Sequence, residues 1–407
     1  MKYQRLRHKS ATSLPYPNGL NLLMQDICLP AAVLKQQAIR HNLNWMQSFA
    51  NHSKVLLAPH GKTSMTPWLF QQQLAAGAWG LTVATAYQAQ IAAEAGARHI
   101  ILANQLVGKA NMALVAGLVQ DGTEVFVCVD HPAQVLALSD FFQSLQLTIP
   151  LLIELGVDGG RCGCRTETDL MQLAKQIQSL PAVQLAGIEF YEGVVKGAEP
   201  EQGVRQLVRQ AARLMATLQQ QQLLQYPTAL ISGAGSVWYD VVAEELTKAV
   251  LPEQIKLVLR PGCYISHDQG IYQQAQLQVL ARSPLACSLG GDLQNALELA
   301  VYVQSLPEPG LAVLGFGKRD AAFDAGLPQA MAIYRHGNLV TEDLADCETI
   351  KVMDQHAFWR FGPSIQPQIG DIVLLGTSHP CLTFDKWRTL WVVDERYNLL
   401  QEVDTFF

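Results

Sequence analysis

The chain has 407 residues, 49% of them hydrophobic and only 16% charged, with a net charge of -6 and a pI of ≈ 5.9. That length buries a large core and calls for two domains, or for one barrel with an appendage. No basic stripe is present, which argues against a nucleic-acid partner, and no apolar run reaches the roughly 18 residues of a membrane span. The basic segment Met1–Ser10 has no apolar core after it, unlike a secretory signal. Eight cysteines are scattered without a framework spacing, which reads as reduced thiols in a cytoplasmic protein. A charge density below the usual ~25% also fits a surface partly covered in an oligomer.

Regular alternation begins near residue 54. Short apolar runs predict eight strands: Val55–Ala58, Leu81–Ala84, Ile100–Ala103, Val125–Val129, Leu151–Leu155, Leu185–Phe190, Ala229–Ser232 and Lys256–Arg260. Helical patterns fill the gaps. The clearest places Val204, Leu207, Val208, Ala211, Leu214, Met215 and Leu218 on one face. Another runs from Tyr87 to Ala95 and stops at Gly96, a glycine suited to a left-handed cap. Eight strand–helix units predict an α/β chain whose first part, residues 30–265, is a (β/α)8 TIM-type barrel. Beyond it, Ala275–Leu280, Leu311–Leu314, Ile372–Leu375 and Leu390–Val393 read as strands with no long amphipathic helix between them. Residues 1–29 and 266–407 are therefore expected to form a second, mostly β domain.

Barrel chemistry sits on the loops that follow the strands. Lys62 follows the first strand, in Ala58-Pro59-His60-Gly61-Lys62-Thr63-Ser64, and Asn104-Gln105 the third. Gly159-Gly160-Arg161-Cys162-Gly163 follows the fifth, and Tyr191-Glu192-Gly193 the sixth. The seventh and eighth carry Ser232-Gly233-Ala234-Gly235-Ser236 and Pro261-Gly262-Cys263-Tyr264. Glycines and hydroxyls there, with a helix starting near Val237, suit a phosphate. A buried lysine can lose its proton and condense with a carbonyl. Lysine and phosphate cradle at one end of one barrel suggest pyridoxal 5'-phosphate (PLP).

The segments Pro59-His60-Gly61-Lys62-Thr63, Ser232–Ser236 and Arg260–Asp268 resemble those of the alanine-racemase-type (fold-type III) PLP enzymes. The nearest branch is that of the metal-dependent D-serine dehydratases and D-threonine aldolases. The resemblance spans nearly the whole chain, with three motifs in the family's order. It implies that Lys62 is the Schiff-base lysine, and that Ser232, Gly233, Gly235, Ser236, Gly262 and Tyr264 contact the phosphate. It further implies Arg161 near the 3-hydroxyl, Tyr191 beside the ring, and a homodimer with shared active sites. The fifth loop departs from the family's Asp-x-Gly-x-x-Arg pattern, with Gly156 where the aspartate would stand.

Ser378-His379-Pro380-Cys381 follows the strand-like run at 372–375. In an extended segment positions i and i+2 share a face, so His379 and Cys381 could bind one metal. Imidazole and thiolate favour Zn2+, and two protein ligands leave positions open for chemistry. D-serine dehydratases carry His-x-Cys at this place and D-threonine aldolases His-x-Asp, so the resemblance implies the dehydratase branch. The expected activity is a PLP- and zinc-dependent (or other divalent-metal-dependent) D-amino acid ammonia-lyase acting on D-serine or a related D-3-hydroxy amino acid. D-threonine aldolase and amino-acid racemase are the alternatives. Gly315–Asp320 reads as a turn, and Trp359, Trp387 and Trp391 as core or interface. His60 and His267 are loop histidines within possible reach of the site.

Overall fold

The computed structural model describes residues 9–11 and 19–407; most of the basic segment Met1–Ser10 therefore lies outside the described residues. All eight predicted barrel strands are present. After a first strand, β1 (Ala31–Lys35), they run β2 (Leu56–Leu57), β3 (Leu81–Val83), β4 (His99–Gln105), β5 (Glu124–Val129), β6 (Ile149–Leu155), β7 (Val183–Phe190), β8 (Ala229–Gly233) and β9 (Ile255–Leu259). Their order is β2-β9-β8-β7-β6-β5-β4-β3, with every pairing parallel. The ring closes between β2 and β3, where Trp79 N–H donates to the Leu57 carbonyl (2.8 Å) and Thr82 N–H to the Pro59 carbonyl (2.9 Å).

The apolar runs are continuous because both faces of each strand are buried. On β5, Val125, Val127 and Val129 join the core shared with the helices, whereas Phe126 and Cys128 point into the barrel. Ala58, Ile101, Leu152, Ala186, Leu230 and Val258 complete that interior, so the barrel is packed rather than hollow. The helix Pro200–Gln220 buries all seven of its predicted apolar residues, and Gly96 takes its left-handed conformation after the helix Ala86–Glu94.

The second domain is built on strands β10 (Leu297–Glu308), β11 (Leu311–Leu314), β12 (Gln329–Arg335), β13 (Asn338–Thr341), β14 (Glu348–Val352), β15 (Ala357–Arg360), β16 (Ile372–Gly376), β17 (Thr389–Val393) and β18 (Leu399–Asp404). Its main path is β13-β12-β16-β10-β1-β17-β18, with β11, β15 and β14 continuing from the far half of β10. Two expectations are corrected. The boundary at residue 30 moves, because β1 pairs with β10 and β17 and so belongs to this sheet. The run Ala275–Leu280 is not a strand; it lies in the helix Ile271–Arg282, followed by Pro284–Ser288. Ala275, Gln276 and Val279 are the buried positions. That spacing is helical, and the alternation of Gln with apolar residues over a few positions mimicked a strand.

Among the described residues, no helix is long and apolar enough to cross a membrane.

Candidate active site

Lys62 lies on a single 3-10 turn, Gly61–Thr63, immediately after β2. A Cβ on Gly61 would stand 2.8 Å from the Phe70 ring, so only glycine lets the turn pack this tightly. The lysine lines a cavity of ≈ 140 Å³ with His60, Asn104, Arg161, Tyr191, Gly235 and Arg260. Burial pushes its amine below the ordinary lysine range; Cys381 and Cys263 pull the other way, and Arg161 adds to the fall. A larger surface groove, of ≈ 400 Å³, is lined by Arg205, Asp240 and Arg282, whose charges are already paired. The smaller cavity is the one with chemistry in it.

Its wall contains polar atoms without partners. His60 Nδ1 and Arg260 Nε are buried with no hydrogen bond, a costly state unless something polar enters. The other end of the Arg260 guanidinium is held by Glu189 and, at 2.8 Å, by the Phe190 carbonyl. Burial lowers His60 well below its ordinary range, with Lys62 and the two arginines adding to the effect. The Arg161 guanidinium lies over the Tyr191 ring, 5.0 Å from its centroid. Together these residues make a half-polar slot fitting a planar, charged heteroaromatic group such as PLP.

The glycine loop forms the edge of the slot. Gly262 N–H (3.2 Å) and Cys263 N–H (3.1 Å) both donate to Ser236 Oγ, which keeps its own proton to give to an anion. A Cβ on Gly262 would lie 2.6 Å from the His60 carbonyl oxygen, so the cradle rests directly on the lysine turn. Other predicted contacts sit behind this edge. Ser232 is fully buried and donates to the Val258 carbonyl (3.2 Å). Gly233 backs onto Phe190, 2.3 Å from where its Cβ would be. The Tyr264 hydroxyl accepts from Gln73 Nε2 at 3.4 Å. None of these three lines the cavity, and neither do Ser236 and Gly262; of the predicted cradle only Gly235 does. The helix expected near Val237 starts at Tyr239.

Two residues that sequence reasoning left without a role stand out. Arg260 was read only as part of a motif; its position before a glycine turn at a strand end was the available signal. Glu192, fully buried, accepts from the N–H groups of Ala234 (3.0 Å) and Gly235 (2.7 Å) and braces the glycine loop. Gly156 also has a local reason: a Cβ there would meet Arg165 Nη1 at 2.0 Å and the Cys162 carbonyl at 2.3 Å. The fifth loop is instead organised by Asp130, which accepts from Gly163 N–H at 2.7 Å.

The crossover from β16 to β17 brings His379 and Cys381 onto the lysine turn. Cys381 Sγ donates to Thr63 Oγ1, next to Lys62, at 3.6 Å across 318 positions of sequence. The pair does not lie on an extended segment as expected: Cys381 opens the short helix Cys381–Phe384. The side chains still meet. The neighbouring Cys381 is the main cause that raises His379 to about 9, with Asp324 adding to the rise and burial opposing it. Cys381 is lowered, first by Cys263 and then by His379 and Thr63. His379 Nδ1 contacts Asp324 Oδ2 at 2.8 Å, an arrangement that orients the ring and leaves Nε2 facing away from that carboxylate. Among the described residues, no three His, Cys, Asp or Glu side chains form a ready-made metal cage. The donor chemistry of this pair nonetheless suits zinc. His267, buried and lowered to about 4, does not line the cavity.

Comparison with known proteins follows the same division of the chain. The family described as alanine racemase, N-terminal domain, matches residues 34–248. The family described as "Putative serine dehydratase domain" matches residues 296–393. A D-threonine aldolase of Arthrobacter sp is 28% identical over 385 residues, covering 94% of this chain and 93% of its own. The crystal structure of D-threonine aldolase from Filomicrobium marinum superposes with a TM-score of 0.79 at 21% identity, covering 96% of this chain and 98% of that one. D-threo-3-hydroxyaspartate dehydratase from Delftia sp. HT23 gives 0.74 at 18%, covering 95% and 99%. Structures of that dehydratase include a histidine-to-alanine variant and a cysteine-to-alanine variant in the metal-free form, the two positions being two residues apart.

Proposed function

This chain belongs to the alanine racemase N-terminal domain family, and on that premise we propose that it is a PLP- and zinc-dependent D-amino acid ammonia-lyase. Its substrate would be D-serine or a related D-3-hydroxy amino acid, converted to a 2-keto acid and ammonia. The carrying observation is the contact between the Lys62 turn and the His379–Cys381 segment. It sets the His379–Cys381 pair against the turn that carries the base, beside rather than in the lining of the lysine cavity. A cysteine at the second metal position, rather than an aspartate, favours dehydration. The metal-free form of the dehydratase cysteine variant supports the same reading.

PLP, when bound, draws electrons from the α-carbon of an attached amino acid and so acidifies the Cα–H bond. His379 and Cys381 would hold a divalent metal, which would supply Lewis acidity toward the β-hydroxyl. Lys62 Nζ, its proton affinity reduced by burial, takes the α-proton. Arg161, stacked on Tyr191, would meet the 3-hydroxyl of the cofactor, with Tyr191 beside its ring. Ser236 Oγ, held by the N–H groups of Gly262 and Cys263, would donate its proton to the phosphate. Asp324 keeps the His379 ring turned for metal binding. The reading includes a homodimer sharing its sites, which light scattering of the purified protein checks.

D-Threonine aldolase is the second reading, favoured by the 28% identity that spans 94% of the chain. Product analysis separates the two. D-Serine giving pyruvate and ammonia, with loss of activity on chelation, supports the lyase. D-Threonine giving glycine and acetaldehyde, with D-serine left intact, would replace it by the aldolase.

A further inference from the structure

Cys263 opens the turn that follows β9, and its backbone N–H faces Ser236. Its side chain faces the metal pair. Cys263 Sγ lies 3.5 Å from Cys381 Sγ, and the Thr63 hydroxyl touches both thiols, at 3.8 Å and 3.6 Å. Zn–S bonds of about 2.3 Å at a tetrahedral angle put two thiolates on one ion about 3.8 Å apart. The observed spacing is close to that requirement. Both cysteines are free thiols, and Cys263 is 4% exposed, its other polar neighbour being Tyr272.

Resting on the metal site proposed above, we infer that Cys263 is a third zinc ligand, making a Cys2His site with one open position. Among the described residues the three side chains do not already surround a point, so binding would draw the His379 ring toward the two sulfurs. A metal would take the place of the two thiol protons, released on binding. Two thiolates cancel the charge of Zn2+ and make the site softer than a His–Asp or His–Cys pair. It would therefore select Zn2+ over Mn2+ or Mg2+. The open position is left for the β-oxygen of substrate. One residue then couples the two halves of the centre, with its N–H at the phosphate cradle and its sulfur at the metal.

X-ray absorption at the zinc edge, on the zinc-loaded holoenzyme, tests this without an activity assay. Wild type is expected to show two sulfurs near 2.3 Å, and Cys263→Ser one, with zinc affinity weaker by roughly tenfold or more. The visible absorbance of bound PLP in Cys263→Ser reports whether its site has folded; if it has not, the wild-type count alone decides. A single sulfur in wild type, or an unchanged count in Cys263→Ser, overturns the third ligand and leaves the His379–Cys381 site standing. Wild type that takes up no zinc overturns both.

Discussion

At the scale of single residues, Lys62 and His379 divide the labour of the proposed reaction. Lys62→Ala removes both the base and the anchor. It should abolish the visible absorbance of bound PLP and all turnover, read by absorption spectroscopy and a keto-acid assay. His379→Ala should keep that absorbance but lower elimination by about a hundredfold or more; full activity in this variant would remove the metal from the mechanism. Glu154 makes a pH prediction. Burial, then the charge of Glu189, raises its pKa from 4.5 to about 7, against the hydrogen bond from Gln105 at 2.6 Å. The folded state thus binds the proton more tightly than the unfolded chain. The stabilisation is full below pH ~4.5 and is lost as pH rises through about 7, at no more than ~1.4 kcal/mol per unit. Melting temperature should fall across that window, and Glu154→Gln should flatten the slope. An identical slope in the variant would place the titration elsewhere.

At the scale of elements, Asp268 anchors the helix Ile271–Arg282. It accepts from the N–H groups of Gly270, Tyr272 and Gln273, each at 3.0 Å, which satisfies donors a helix start otherwise leaves open. Asp268→Ala should cost about 1–2 kcal/mol in urea unfolding. The residue was visible in the sequence only as part of a motif, and the helix it starts was read as a strand. That misreading has a physical origin. Gln-apolar alternation over six residues satisfies a two-residue period, and the helical face appears only when Gln276 is allowed to be buried, as it is beside Tyr239. The barrel strands were legible because burial on both faces leaves unbroken aliphatic runs. Lys62 and Arg161 were legible because their loops follow such runs. The facing of Ser232, Gly233 and Tyr264 was not, because a glycine loop does not record in sequence which of its groups turn inward. Nor was Glu192, whose partners are backbone N–H groups 42 and 43 positions away.

At the scale of the whole molecule, the proposed site is a joint between two domains. The barrel supplies Lys62, Arg161 and the cradle; the β domain supplies His379 and Cys381. Sequence separates the two sets by about 120 residues or more, and only the docking of the β16–β17 crossover on the β2 and β9 loops unites them. A metal at that joint would hold the domains together as well as serve chemistry. Chelation should therefore lower the melting temperature by several degrees, and added Zn2+ should restore it. Cys381→Ala should melt alike with and without chelator; a chelator effect surviving in that variant would put the metal elsewhere.

The central claim is that Lys62 and the metal pair act on one D-hydroxy amino acid. The most direct test is the visible absorption spectrum of the purified protein before and after D-serine is added, with pyruvate followed in the same cuvette. The account predicts a yellow PLP band that shifts or bleaches as pyruvate accumulates. No band after PLP is supplied, or a band that D-serine leaves unchanged with no pyruvate formed, would contradict it.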